Sequence, residues 1–117
     1  SPSTIGYDEY CTLTRYITGL ELSPSEMTEI GERIYTLERM FNNREGASRK
    51  DDIPPERYLV EPTPLGLGDF KGKTIDREKF EGLLDEYYAA HGWDSDGVPT
   101  PETLARLGLE GEPSHIL

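Results

Sequence analysis

The feature that most constrains this chain is a capped apolar stripe. Ser23-Pro24-Ser25-Glu26 has the pattern of a capping box, with Ser at the N-cap, Pro at the first helical position and Glu at the third. Apolar residues then follow at spacings of 3, 4, 3 and 4, namely Met27, Ile30, Ile34, Leu37 and Phe41. This is the period of an amphipathic α-helix. We predict a helix that ends at Asn42-Asn43 and packs this stripe inward.

Two other helices are predicted on either side of it. One runs from about Asp8 to Thr18 and stops at Gly19. It places three apolar residues on one side: Tyr10, Leu13 and Ile17. The other begins at the N-cap Asp76 and closes at His91-Gly92. Its predicted buried face consists of Phe80, Leu83, Leu84, Tyr87 and Tyr88.

A short last helix is indicated by Thr100-Pro101 and is stopped by Gly108. Between the second and third helices, residues 44–75 show no sustained period and are rich in Pro and Gly, with a turn of helix expected near Pro55 to Tyr58. The predicted fold is therefore all-α: a small irregular helical domain of about four helices with one long connection. We divide it into a poorly defined segment (1–9), a helical segment (10–110) and a tail (111–117).

Composition excludes several classes of function. Lys and Arg total 12 and Asp and Glu total 23, so the net charge is −11. Such an acidic surface repels phosphate backbones and anionic lipid, which argues against nucleic-acid and membrane partners. The single Cys11 excludes an intramolecular disulfide and favours a reducing, cytoplasmic location. Only 34% of the residues are hydrophobic, which predicts a thin core and a piece that is subsidiary to something larger.

Two features, one loop and one histidine, suggest a metal site or a catalytic base but do not meet the requirements of either. Asp94-Ser95-Asp96-Gly97 looks like the start of a calcium loop, but the twelfth position is Ala105 instead of Glu, so we predict a turn. His91 has no paired carboxylate or nucleophile in the sequence, and we predict that it caps its helix as a cation or hydrogen-bond donor. No catalytic residue is assigned in this chain.

The most charged run extends from Arg44 to Asp52. It is either a solvated loop or a segment that packs on another surface, and the sequence pattern leaves both open. It follows an apolar helix end, and the arginines around it alternate with glutamates. Arg–carboxylate pairs of this kind are typical of charge buried at an interface.

A longer series of motifs resembles the C-terminal region of the tungsten-containing aldehyde:ferredoxin oxidoreductase family. The resemblance runs in order from about Tyr10 to Leu109. It includes the following motifs: Gly31-Glu32-Arg33-Ile34, Leu37-Glu38-Arg39, Phe41-Asn42-x-Arg44-Glu45-Gly46, Ser48-Arg49-Lys50-Asp51-Asp52, Pro55-Glu56-Arg57-Tyr58, Tyr87-Tyr88, Gly92-Trp93-Asp94, Gly97-x-Pro99-Thr100 and Leu107-Gly108-Leu109.

The resemblance implies a parent enzyme that oxidises aldehydes to carboxylic acids with water. It also implies a tungsten bis-pterin centre, a [4Fe–4S] cluster and ferredoxin as the electron acceptor. The family's cluster cysteine stands in an Asp-x-x-Gly-Leu-Cys motif that this chain lacks, so Cys11 is not expected to be a cluster ligand. As candidate contacts to the cofactor domains we name Arg44, Glu45, Arg49 and Asp52.

Two hypotheses about function follow. In the first, the chain is the C-terminal helical part of such an oxidoreductase, a scaffold for its N-terminal and middle domains. It would be inactive alone and hold no cofactor. In the second, it is a free-standing acidic helical interaction module that binds through its Tyr-rich surfaces. In either case we expect exposed apolar surface and self-association of the isolated chain.

Overall fold

The computed structural model of the chain describes residues 5–62 and 72–111. In those ranges the backbone is helical, and its only β pairing is an antiparallel bridge between Trp93 and Pro99. The helices are α1 (Tyr7–Thr18), α2 (Pro24–Arg44), α3 (Arg49–Asp52), α4 (Glu56–Val60), α5 (Arg77–His91) and α6 (Pro101–Leu107). The all-α prediction is confirmed.

The predicted capping residues define the long helices. The Ser23 hydroxyl accepts from the Glu26 amide at 3.2 Å, and the Glu26 carboxylate accepts from the Ser23 amide at 3.2 Å, which completes the capping box. The side chains of Asp76 and Thr100 cap α5 and α6 by accepting from the amides of Lys79 and Thr103. Because these signals are local, the structure reproduces them closely.

The connection after α2 is more ordered than predicted. The expected turn near Pro55 to Tyr58 is α4, and a further helix, α3, lies in the charged run. The amide of Ser48, the N-cap of α3, donates to the Asp51 carboxylate at 2.9 Å. Residues 63–71, which carry much of the predicted Pro- and Gly-rich connection, lie outside the described residues, as do residues 1–4 and 112–117. At the N-terminal side, α1 begins at Tyr7, within the segment 1–9.

The core consists of two small clusters. In one, Met40 of α2 packs on Leu107 and Leu109, with Leu37 and Leu104 at its edge. The other joins α5 to α3. Its buried members are Leu84, Tyr88 and Trp93, with Ile53 and Phe80 packed against them.

The inward packing predicted for the α2 stripe is wrong for two of its residues. Ile34 is 55% exposed and Phe41 is 48% exposed. The residues of α2 that are buried are Thr36 and Met40, so the buried face is rotated away from the stripe. A hydrophobic period identifies an apolar face, but the position of neighbouring helices decides whether that face is covered.

The predicted buried face of α5 is also only partly correct. Leu84 and Tyr88 are buried, but Leu83 is 63% exposed and Tyr87 lies at the surface. The residues that pack on α5 cover only the side with Leu84 and Tyr88, which is narrower than the apolar face predicted from the sequence. The rest of that face meets no other described residue that buries it.

The packing is thin for a chain of this length. The Cα radius of gyration is 18.7 Å, whereas a compact domain of this size has about 13 Å. No helix in residues 5–62 or 72–111 combines the length and apolarity needed to cross a membrane.

Candidate functional site

The best-organised polar cluster of the described residues lies where α2, α3, α5 and the turn after α5 meet. α2 contributes Arg39, α3 contributes Arg49 and Asp52, and α5 contributes Tyr88. The turn contributes Gly97. We call these five residues the Arg39 cluster.

Arg39 and Asp52 form its centre. The Arg39 guanidinium donates from Nη1 to Asp52 Oδ1 at 3.1 Å and from Nη2 to Oδ2 at 2.6 Å, a two-pronged pair. Arg39 Nε donates to the Gly97 carbonyl at 2.6 Å. Burial alone would raise the pKa of Asp52, but the hydrogen bonds from Arg39 and Tyr88 outweigh it and lower that pKa. The carboxylate is therefore ionised at neutral pH.

Tyr88 lies between two guanidinium groups. Arg39 and Arg49 approach its ring to 5.5 Å and 5.6 Å from the centroid, within the range of cation–π attraction. Its hydroxyl donates to Asp52. Burial, followed by this hydrogen bond, raises the pKa of Tyr88 to about 12. The hydroxyl therefore stays protonated and acts as a fixed donor, not as a base.

Arg49 joins α3 to α5 and to the turn. Its Nη1 donates to the Asp85 carboxylate at 2.7 Å and to the Ser95 carbonyl at 2.9 Å, and its Nη2 donates to the Glu81 carbonyl at 3.3 Å. Of the four candidate residues of the charged run, the structure brings Arg49 and Asp52 together in this cluster. Arg44 is the last residue of α2 and Glu45 is its C-cap, and both are exposed.

Sequence reasoning did not identify Tyr88 and Gly97 as parts of this cluster. Gly97 has φ +76°, and a Cβ there would overlap Arg39 Nη2 and lie 2.7 Å from Tyr88 Cζ. The Asp94 carboxylate holds the turn by accepting from the amides of Asp96 at 2.9 Å and Val98 at 3.0 Å, so the predicted turn is confirmed. The sequence signal for Gly97 was this turn. Its contact with Arg39 of α2 could not be predicted because the two residues are 58 positions apart.

An aromatic cluster adjoins Arg39. His91 packs among Tyr35, Tyr87 and Trp93, with ring centroids 5.0, 4.5 and 4.8 Å away. Burial lowers the pKa of His91, an effect that the charge of Glu32 opposes. The lowered pKa favours the neutral ring, which packs as an aromatic side chain. Of the two predicted capping roles, cation or hydrogen-bond donor, the cationic one is therefore not supported.

The cavity beside these rings is small. Its volume is about 120 Å³, and its lining includes Tyr35, Arg39, Tyr87 and Trp93. Such a volume lies well below the ~300 Å³ of a typical substrate pocket. A wider open groove of about 540 Å³ lies between α1 and the start of α2. Cys11, a free thiol, lies on its wall with Arg15.

The described residues do not fit a metal centre. In residues 5–62 and 72–111, no three His, Cys, Asp or Glu side chains are grouped so that they could hold an ion. Arg39 and Arg49, the cations of the Arg39 cluster, are engaged by carboxylates and carbonyls of the chain itself. We therefore assign no step of a reaction to a cofactor bound by these residues.

The sequence model described as "Aldehyde ferredoxin oxidoreductase, domains 2 & 3" matches residues 1–109. The chain belongs to the aldehyde ferredoxin oxidoreductase family. It is 36% identical over 107 residues to the tungsten-containing aldehyde ferredoxin oxidoreductase of Pyrococcus horikoshii. These residues make up 91% of this chain and 17% of the relative. It is 32% identical over 110 residues to a Pyrococcus furiosus protein named "Aliphatic sulfonate oxidoreductase, WOR-like subunit", with 89% and 17% covered.

A solved structure is also similar to this chain. The chain resembles part of a structure titled "Active site complex BamBC of Benzoyl Coenzyme A reductase in complex with 1,5 Dienoyl-CoA" with a TM-score of 0.71 and 32% identity. The likeness covers 95% of this chain and 16% of that one. The chain thus spans about a sixth of the length of the family members that it matches.

Proposed function

We propose that this chain is the C-terminal helical part of a tungsten-pterin, [4Fe–4S]-dependent aldehyde:ferredoxin oxidoreductase and serves as a scaffold in it. Family membership over residues 1–109 carries the proposal. The relatives named as tungsten-containing aldehyde ferredoxin oxidoreductases support the choice of metal and substrate class. In that enzyme an aldehyde and water would be converted to a carboxylic acid, with two electrons passed to ferredoxin and two protons released; the tungsten centre, held by the other domains, would supply this two-electron chemistry.

The charge pairs of the Arg39 cluster support the proposed scaffold role. Arg39, Arg49 and Asp52 link α2, α3, α5 and the turn after α5 by charge-assisted hydrogen bonds. Such pairs are about twice as strong as neutral ones and fix geometry because the guanidinium fork is planar. They hold the charged run of residues 44–52 in one conformation. We propose that Arg44 and Glu45, at the exposed end of α2, then contact the cofactor domains.

The partners proposed for this surface are the N-terminal and middle domains of the same enzyme. Ferredoxin would interact with the enzyme as a whole. A cytoplasmic location remains a prediction, based on the single cysteine. Cell fractionation of the native organism with an antibody against this segment would test it.

The test uses the full-length oxidoreductase that contains this segment. Arg44→Ala and Asp52→Asn are compared with Arg57→Ala, which removes an exposed arginine paired with Glu61 one helical turn away. We expect tungsten per protein and aldehyde-dependent dye reduction to fall several-fold in the first two variants and to stay unchanged in the third. Wild-type tungsten content and turnover in both Arg44→Ala and Asp52→Asn would contradict the scaffold proposal.

The isolated 117-residue chain provides a second readout. We expect it to bind neither tungsten nor iron and to show no aldehyde-dependent dye reduction. Bound tungsten would refute the assignment of this chain to scaffolding alone. The region after Phe41 would then be the first place to look for pterin contacts.

A further inference from the structure

α1 has no share in the core. It has 12 residues, and none of them is buried. Its half-buried side chains, Cys11 and Thr14, lie on one side of the helix, and its main packing contact is with α2. Helices shorter than ~12–15 residues are marginal in water without tertiary packing. This contact alone therefore supports α1 weakly.

A different face of α1 is exposed and apolar. It carries Tyr10, Leu13, Tyr16 and Ile17 and continues after the helix end in Leu20; we call these five residues the α1 face. Tyr10, Leu13 and Ile17 have the i, i+3, i+7 spacing of one helical side. Tyr16 is 75% exposed and Ile17 is 80% exposed. The five residues carry no charge, in a chain in which 30% of residues are charged.

This composition and size match a protein interface. Interface cores are depleted of charge and enriched in Tyr. The apolar area that five such half- to three-quarters-exposed side chains present is on the order of several hundred Å². That is comparable to the ~800 Å² that each partner buries in a standard interface and to the largest patches of ordinary monomers.

We propose that the α1 face docks on another domain of the same oxidoreductase. The proposal rests on the proposed function and names the surface through which that scaffold acts. The family members that this chain matches are about six times longer, since it covers 17% of their length, so a covering domain is available within one polypeptide. A second copy of the chain is the weaker candidate because each copy carries a net charge of −11.

The chemistry of the α1 face specifies what it fits. The covering surface is an apolar groove that accepts two Tyr rings and three aliphatic side chains. Asp8 and Glu9 lie in the first turn of α1. Lys or Arg side chains at the matching end of the groove would pair with these two carboxylates.

The experiment compares amide hydrogen exchange of α1 in two contexts, the isolated chain and the full-length oxidoreductase. We expect exchange in α1 to be at least about 100-fold slower in the full-length protein, because docking removes local opening. Ile17→Lys should abolish most of this protection in the full-length protein. Thr12→Lys, an exposed position on the same helix outside the α1 face, should keep it. In the isolated chain both variants should exchange like the wild type, which shows that neither impairs folding.

Three results would overturn the docking proposal. One is equal exchange of α1 in both contexts, and another is equal loss of protection in Ile17→Lys and Thr12→Lys. The third is protection of α1 in the full-length protein that disappears when light scattering shows a dimer dissociating into monomers, which would assign the face to a second copy. Tungsten content separates the docking proposal from the proposed scaffold function. A full-length protein with normal tungsten content but an unprotected α1 refutes docking alone. A wild-type protein with a protected α1 but no tungsten refutes the proposed function alone.

Discussion

Replacing Gly97 by Ala tests the geometry of the Arg39 cluster most directly. At φ +76° an L-residue pays roughly 1–2 kcal/mol for the left-handed backbone. The added Cβ would also overlap Arg39 Nη2 and crowd the Tyr88 ring at 2.7 Å. Displacing Arg39 disturbs a mostly buried ion pair, and disruption of such pairs costs ~3–5 kcal/mol when one charge is left without its partner.

Gly108→Ala is the matched control. Gly108 also has a positive φ, +69°, and caps α6, but a Cβ there meets nothing within 4 Å. It should therefore cost only the backbone term of roughly 1–2 kcal/mol. Gly97→Ala displaces Arg39 without removing it, so it should cost this term plus about half of the ~3–5 kcal/mol of a broken ion pair, which is about 3–5 kcal/mol in total. A destabilisation of about 3–5 kcal/mol is a large fraction of the ~5–15 kcal/mol by which folded domains are stable.

Urea unfolding followed by tryptophan fluorescence measures both costs. Trp93 is the single tryptophan of the chain, is buried, and packs against Arg39 with the guanidinium 5.0 Å from its ring centroid. Its emission therefore reports on this cluster. Equal losses in the free energy of unfolding for the two glycine variants would refute the argument that Gly97 is required by the approach of Arg39.

Two further predictions concern pH. The pKa of Asp52 is lower in the folded state, so its ionisation stabilises the fold above the unfolded-state pKa of about 3.9, and this stabilisation is lost as pH falls through the folded-state pKa. Asp52→Asn should therefore be less stable than the wild type by roughly 1–3 kcal/mol at pH 7 and should lose less stability on acidification. Asp96→Asn, an exposed control, should follow the wild type in urea titrations. Partial burial, together with the hydrogen bonds of Tyr87 with Tyr35 and of Tyr88 with Asp52, raises the pKa of both Tyr87 and Tyr88 to about 12. Stability should therefore fall as pH rises from about 10 to 12, where the unfolded chain alone releases these protons. A spectrophotometric titration in which every tyrosine ionises near 10 while the chain is folded would contradict this.

The predictions that succeeded depend on short-range chemistry. The capping box of Ser23 and Glu26, the N-caps Asp76 and Thr100, and the stop at Gly108 each act within about four residues. A single sequence carries all the information that such signals need. The four helices of seven or more residues in the described part of the chain were therefore predicted with boundaries close to those observed.

The predictions that failed depend on which neighbours a residue meets. The apolar period of α2 is present, but Ile34 and Phe41 are exposed while Thr36 is buried. The four-residue helix α3 was missed because one turn has no period to detect. Without α3, nothing in the sequence placed Asp52 beside Arg39, although both belong to motifs that the family resemblance had singled out.

The sequence by itself determined the helical class, the helix ends and the family, because capping, periodicity and ordered motifs are properties of the chain in one dimension. The tertiary structure decided which faces are covered and that Arg39, Asp52, Tyr88 and Gly97 form one cluster. Those four residues come from separate segments, and their contacts arise from the balance of desolvation and charge pairing when the segments pack. That balance depends on distances in space, which spacing along the chain does not encode.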